Sequence, residues 1–149
     1  MADRTASRAS FTFPSTLACV NTVEETALEF ALAAGFDHKI ASNLAMVIRE
    51  AAVNAVIHGN RYSETKQVSA SFEITPTALI IKIADQGAGV DVDAIPDPLA
   101  PENLLRSSGR GVFLMRAFMD EVHFRLTHPA TENPGTEITL IKRRNPSAA

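Results

Sequence analysis

One stretch constrains the fold of this chain more than any other. In VIREAAVNAVIHGN, residues 47–60, an apolar stripe and a polar row repeat at the same helical period. At about 100° per residue, Ile40, Leu44, Val47, Ile48, Ala51 and Ala55 share one face. Glu50 and Asn54 fall along the border of that face, and His58 drifts further in. The segment therefore predicts a helix over 38–58 with one side in a core and one edge on a cleft. Asp37 is placed to cap its start, and Gly59-Asn60 to close it.

The neighbouring segments supply the rest of a single domain. Residues 1–9 read as a disordered tail, and 10–14 (SFTFP) as a short edge strand. A helix follows over 16–34, started by Ser15 or Thr16 and ended by Gly35. Residues 67–74 and 79–84 alternate as strands around the turn Thr75-Pro76-Thr77. Residues 85–110 are rich in glycine, proline and polar side chains, which predicts a long functional loop. Residues 111–119 read as a short apolar helix, and 121–127 and 136–142 as two more strands. The tail from 144 onward reads as frayed. Strands joined by tight turns predict an α+β fold. Its form is a two-layer sandwich, a mixed and largely antiparallel sheet with three helices on one face. The 46% hydrophobic content of 149 residues suits one such core, with the domain running over 10–143.

Composition excludes several classes of function. The net charge of −3 offers no basic field for nucleic acid. No apolar run approaches the ~18 residues of a membrane span. The single cysteine, Cys19, fits a reducing cytoplasm. The four histidines lack partners at metal-ligand spacing.

The polar positions point to a nucleotide. An amide oxygen from Asn54 can help hold Mg²⁺, which takes a few protein oxygens plus phosphate and water. Glu50, one turn earlier, can take a proton from an attacking hydroxyl. Asp85 follows the apolar strand end at 80–83 and can accept a hydrogen bond from an exocyclic amine such as adenine N6. Gly87 and Gly89 let a flat ring approach. Gly109, Arg110 and Gly111 precede an apolar helix and can present N–H groups and charge to phosphate. The stretch 96–108 between the glycine turns reads as a lid. Each element has a plainer alternative: a polar helix edge, a strand-ending turn, a hinge. No Gly-Lys-Ser/Thr occurs, so this is not a Walker loop.

Together, Glu50-x-x-x-Asn54, Asp85-x-Gly87-x-Gly89 and Gly109-x-Gly111 resemble the N box and glycine boxes of the GHKL (Bergerat) ATPases. EAAVNAVIHGN, DQGAGVDVDAIPDPLAPENLLRSSGRGVFLMRAFMDEV and PGTEITL look like the anti-sigma factor serine/threonine kinases of bacterial partner switching. The resemblance covers about residues 10–143. It implies a cytoplasmic protein kinase using ATP and Mg²⁺. Its partners would be a sigma factor, which it sequesters, and an anti-sigma-factor antagonist, which it phosphorylates. It also implies a homodimer. Carried onto this sequence, Glu50 matches the general base, Asn54 the Mg²⁺ ligand and Asp85 the adenine reader. Gly87 and Gly89 match the ring-side turn, and Gly109, Arg110 and Gly111 the phosphate-side end of the lid. Thr136 matches a threonine near adenine, and His58 a position facing phosphate. Arg49 departs from the small residue common there. The alternative is a nucleotide-binding regulatory module with little or no kinase activity. A two-component histidine kinase would need a phosphorylatable histidine in the helix over 16–34, which has none. A gyrase-like ATPase would need a transducing domain. The outer face at Asn21, Glu24 and Glu25 reads either as a partner surface or as a plain solvated face.

Overall fold

The structure is a computed structural model and describes residues 2–5, 7–61, 63–87, 107–128, 131 and 134–144; at 2–4, 58 and 107–112 it describes the backbone. Two helices follow the first strands. Helix α1, Leu17–Ala33, starts where the Thr16 side chain accepts from the Cys19 N–H. It stops where Gly35 N–H reaches Leu32 O and Phe36 N–H reaches Ala31 O. Helix α2, His38–Val53, starts at Asp37, whose carboxylate accepts from Ile40 N–H at 2.8 Å.

Six strands form one sheet: β1 Ala2–Arg4, β2 Arg8–Pro14, β3 Gln67–Ile74, β4 Ala78–Ala84, β5 Glu121–Leu126 and β6 Thr136–Arg143. Their order is β1-β2-β3-β4-β6-β5, and every described neighbour pair is antiparallel. β6 thus inserts between β4 and β5, and helix α3, Ser107–Phe118, lies on the path from β4 to β5. Strand alternation sends Val68, Ala70, Phe72, Leu79, Ile81, Ile83, Ile138 and Leu140 into one buried layer. Against it pack Val20, Val23 and Phe30 of α1, Leu44, Val47 and Ile48 of α2, and Met115 of α3. Phe30 and Phe72 meet across that layer with ring centroids 5.5 Å apart. The other face of the sheet is open and polar, with Ser71, Lys82, Thr139 and His123 in one row across β3, β4, β6 and β5.

The two-layer α+β sandwich agrees with the sequence reading, with three differences. The first concerns the N-terminus. Strand β1 pairs Ala2, Asp3 and Arg4 with Phe11, Ser10 and Ala9, where the sequence suggests a tail. Consequently β2 is flanked on both sides and is not an edge strand. The second concerns α2, which changes to a π-helical turn over Asn54–Gly59, with Asn60 N–H donating to Ala55 O five residues back. The third concerns α3, which begins at Ser107, so Gly109, Arg110 and Gly111 lie inside it and do not precede it. The helical run His38–Ile57 is long and apolar enough to cross a membrane by length and composition, but half of it is buried inside the domain as a core helix.

Candidate nucleotide site

Asp85 follows β4 on the alternation of Leu79, Ile81 and Ile83, which carries it to the helix side of the sheet. It is 9% exposed. Its N–H donates to Thr136 O at 2.9 Å. Its Oδ1 accepts from Gly87 N–H at 2.9 Å and from Thr136 N–H at 3.2 Å. Gly135 N–H donates to Gly87 O, which stitches the turn to the start of β6. Burial pushes the Asp85 carboxyl above its ordinary value, against the opposing pull of the Gly87 and Thr136 N–H groups and the Lys66 charge.

The end of the π-helical turn meets this strand end. A methyl on Gly59 would overlap the Asp85 carboxylate at Oδ2, and a methyl on Gly87 would overlap the Gly59 carbonyl. Both positions are glycine because the two segments touch there. Asn60, 1% exposed, adds three hydrogen bonds beside them. Its Nδ2 donates to Ser15 Oγ at 2.8 Å and to Gln67 O at 2.9 Å, and its Oδ1 accepts from Gln86 N–H at 2.8 Å.

Asn54 and Glu50 are half-buried on the helix that ends at this junction. Asn54 opens the π-helical turn, and its N–H reaches both Ala51 O and Glu50 O. Along the axis, Glu50 stands ~6 Å beyond Asn54. Moving away from Asp85, the order is Gly59, Asn54, Glu50: carboxylate, amide, carboxylate. Arg49 does not face this row alone. Its Nη1 donates to Asn21 Oδ1 at 2.9 Å and to Glu24 Oε2 at 3.0 Å, bracing α2 to α1.

Asp85, Gly87 and Thr136 thus form one contact cluster, joined through Gly59 to the helix bearing Glu50 and Asn54. His58 lies in the π-helical turn. Gly109, Arg110 and Gly111 lie in α3, whose Met115 is fully buried in the core. Gly89 and the lid stretch 96–106 fall outside the described residues. Gly59 and Asn60 are contact residues that the sequence reading took only as a helix stop. A separate cleft of about 440 Å³ opens toward the polar sheet face, lined by Thr65, Lys66, Ser69, Gln86, Thr127 and His128 beside Asp85. Neither Glu50 nor Asn54 lines it, so it is not the crevice of this helix.

The sequence matches the histidine kinase-like ATPase domain over residues 13–142. Serine-protein kinase RsbW of Oceanobacillus iheyensis is 33% identical over 94 residues, covering 59% of this chain and 60% of that protein. That of Staphylococcus epidermidis is 34% identical over 104 residues, covering 65% and 62%. The chain therefore spans about three-fifths of the length of these two kinases. The anti-sigma F factor of Clostridium perfringens is 31% identical over 108 residues, covering 70% of this chain and 73% of that protein. Among solved structures, the mycobacterial sensor histidine kinase MprB superposes with a TM-score of 0.55 at 22% identity, over 71% of this chain and 75% of that one, a likeness of fold. By the extent of these matches and by its antiparallel sheet under three helices, the chain belongs to the histidine kinase-like ATPase family.

Proposed function

We propose that the domain is a cytoplasmic, homodimeric anti-sigma factor kinase. It binds ATP between the Asp85 turn and the Glu50–Asn54 helix, phosphorylates a serine or threonine of an antagonist protein, and sequesters a sigma factor. One observation carries the reading. Asp85 is buried with one oxygen held by two backbone N–H groups, and its other oxygen faces the helix end from which Asn54 and Glu50 extend. A carboxylate so placed suits the adenine amine, and a base without that amine would leave it unpaired.

Asn54 offers an amide oxygen, a donor suited to Mg²⁺ alongside phosphate and water oxygens. When bound there, the ion would neutralise phosphate charge. Glu50 would accept the proton of the incoming hydroxyl. The hydroxyl oxygen then bonds to the γ-phosphorus, the bond to the β–γ bridging oxygen breaks, and ADP departs with that electron pair. The π-helical turn between Asn54 and Gly59 sets how the phosphate end is aimed relative to the base end.

Transfer of labelled phosphate from ATP to the cognate antagonist tests the proposal. Glu50→Gln should slow transfer ~10²–10⁴-fold while sparing ATP binding. A variant that transfers at the normal rate removes Glu50 from the role. A wild-type protein that binds ATP and partner without transfer favours the regulatory-module reading.

A further inference from the structure

We propose that Asn60 is a positioning residue for base recognition: its side-chain amide fixes the distance between the Asp85 turn and the end of the Glu50–Asn54 helix, and so sets the preference for adenine. The proposal rests on the nucleotide reading above and adds to it a residue that contacts no substrate.

The geometry is specific to an amide. The Gln86 N–H belongs to the peptide that joins Asp85 to Gln86, so its bond to Asn60 Oδ1 pins the backbone on the C-terminal side of Asp85. On the N-terminal side, Asp85 N–H is held by Thr136 O. Of these two restraints on the Asp85 backbone, one comes from the sheet and the other from the helix end. The opposite edge of the Asn60 amide holds Ser15 Oγ and Gln67 O, and Ser15 Oγ in turn donates to Lys66 O at 2.6 Å. Gln86 Oε1 closes the circuit by accepting from Gln67 N–H at 2.7 Å. Asn60 thus ties the start of α1, the start of β3 and the base-reading turn to one buried side chain. It needs two donors on one edge and an acceptor on the other, at one fixed spacing. Aspartate has the shape without the donors, and serine lacks the reach.

Loosening this tie lets the Asp85 carboxylate drift relative to the helix. Discrimination between purines depends on that alignment, because adenine presents an amine where guanine presents a carbonyl. Phosphate contacts are shared by both nucleotides and should change little.

The test is calorimetric affinity for ADP and GDP in wild type, Asn60→Asp and Asn60→Ser, at a temperature where each is folded by circular dichroism. Amide exchange at Gln86 is followed in parallel. Wild type should prefer ADP. The Asn60 variants should reduce the ADP:GDP ratio by about tenfold, with GDP affinity near wild type and faster exchange at Gln86. A lowered melting temperature with an unchanged ratio would make Asn60 an ordinary buried amide and overturn the proposal. If both variants fail to fold, Ser15→Ala removes only one acceptor of the amide. It should move the ratio roughly threefold in the same direction, and no movement overturns the proposal. Failure of the underlying reading looks different: wild type itself would show no preference for ADP.

Discussion

Gly59→Ala is the most informative single substitution in this domain. The added methyl lands on Oδ2, Cγ and Cβ of Asp85. That carboxylate cannot simply withdraw, because two N–H groups hold its other oxygen. Overpacking of this kind costs ~1–3 kcal/mol. Surrendering one of the two hydrogen bonds costs a further ~1 kcal/mol. Gly59 has no positive φ, so alanine meets no backbone strain there. Its better helix propensity returns up to ~1 kcal/mol. The net expectation is a loss of about 1–3 kcal/mol in urea unfolding, together with a weakening of ADP binding by about tenfold or more as Asp85 is displaced. A double-mutant cycle isolates the contact. In Gly59→Ala/Asp85→Ala the overlap is gone, so the double variant should be more stable than the sum of the singles by ~1–2 kcal/mol. Additive losses, or a Gly59→Ala protein that binds ADP like wild type, would refute the contact between helix end and strand end.

Asp85→Asn should weaken adenine binding by ~1–3 kcal/mol. It should also change the pH dependence of stability. Burial raises the Asp85 pKa in the folded state above the unfolded value of ~3.9, so the folded protein favours the protonated carboxyl. This contribution is complete below the unfolded pKa and is lost as pH rises through the folded one. The stability of wild type relative to Asp85→Asn should therefore decline as pH increases from about 4; an increase in urea titrations contradicts the assignment. Arg49→Ala removes a half-exposed ion pair with Glu24 and a bond to Asn21, and should cost less than ~1 kcal/mol by thermal melting. A larger loss would mean that the brace between α1 and α2 is a main support. Cys19 is 3% exposed with its thiol pushed up by burial, so it should label only upon unfolding. Rapid labelling of the native protein would place it elsewhere.

The parts of this fold that were legible in sequence are those set by local chemistry. Thr16 and Asp37 cap their helices because a side-chain oxygen reaches an N–H three residues on, a relation visible in the chain itself. Thr75-Pro76-Thr77 turns β3 into β4, with Thr75 Oγ1 accepting from Ala78 N–H. The π-helical turn had no such mark. Its residues, Asn54 to Gly59, continue the same alternation of apolar and polar side chains, so a 100° projection carries on past Asn54 where the backbone does not. Strand β1 was hidden for the opposite reason: Ala-Asp-Arg has no alternating apolar face, and its pairing depends on the neighbour at 9–11. Gly59-Asn60 was ambiguous because a helix stop and a tertiary contact use the same residues. The partners of Asn60 at 15, 67 and 86 are distant in sequence, so only the assembled sheet tells the two apart.

The two ends of the proposed site are built differently, and the chemistry asks for that difference. Around Asp85 the restraints are backbone contacts and a buried amide: Gly59 against the carboxylate, Gly87 against the Gly59 carbonyl, Asn60 against Gln86. Such contacts leave little freedom, which suits reading a flat base by one hydrogen bond. Toward Glu50 the helix becomes more open. Glu50 itself is half-buried, and Met46 one turn further is 41% exposed. A phosphoacceptor carried on a folded protein needs that open approach, because its hydroxyl must reach Glu50 without the base end moving. Replacing Gly59 or Asn60 should therefore change which nucleotide is bound, whereas replacing Glu50 should change what happens to it.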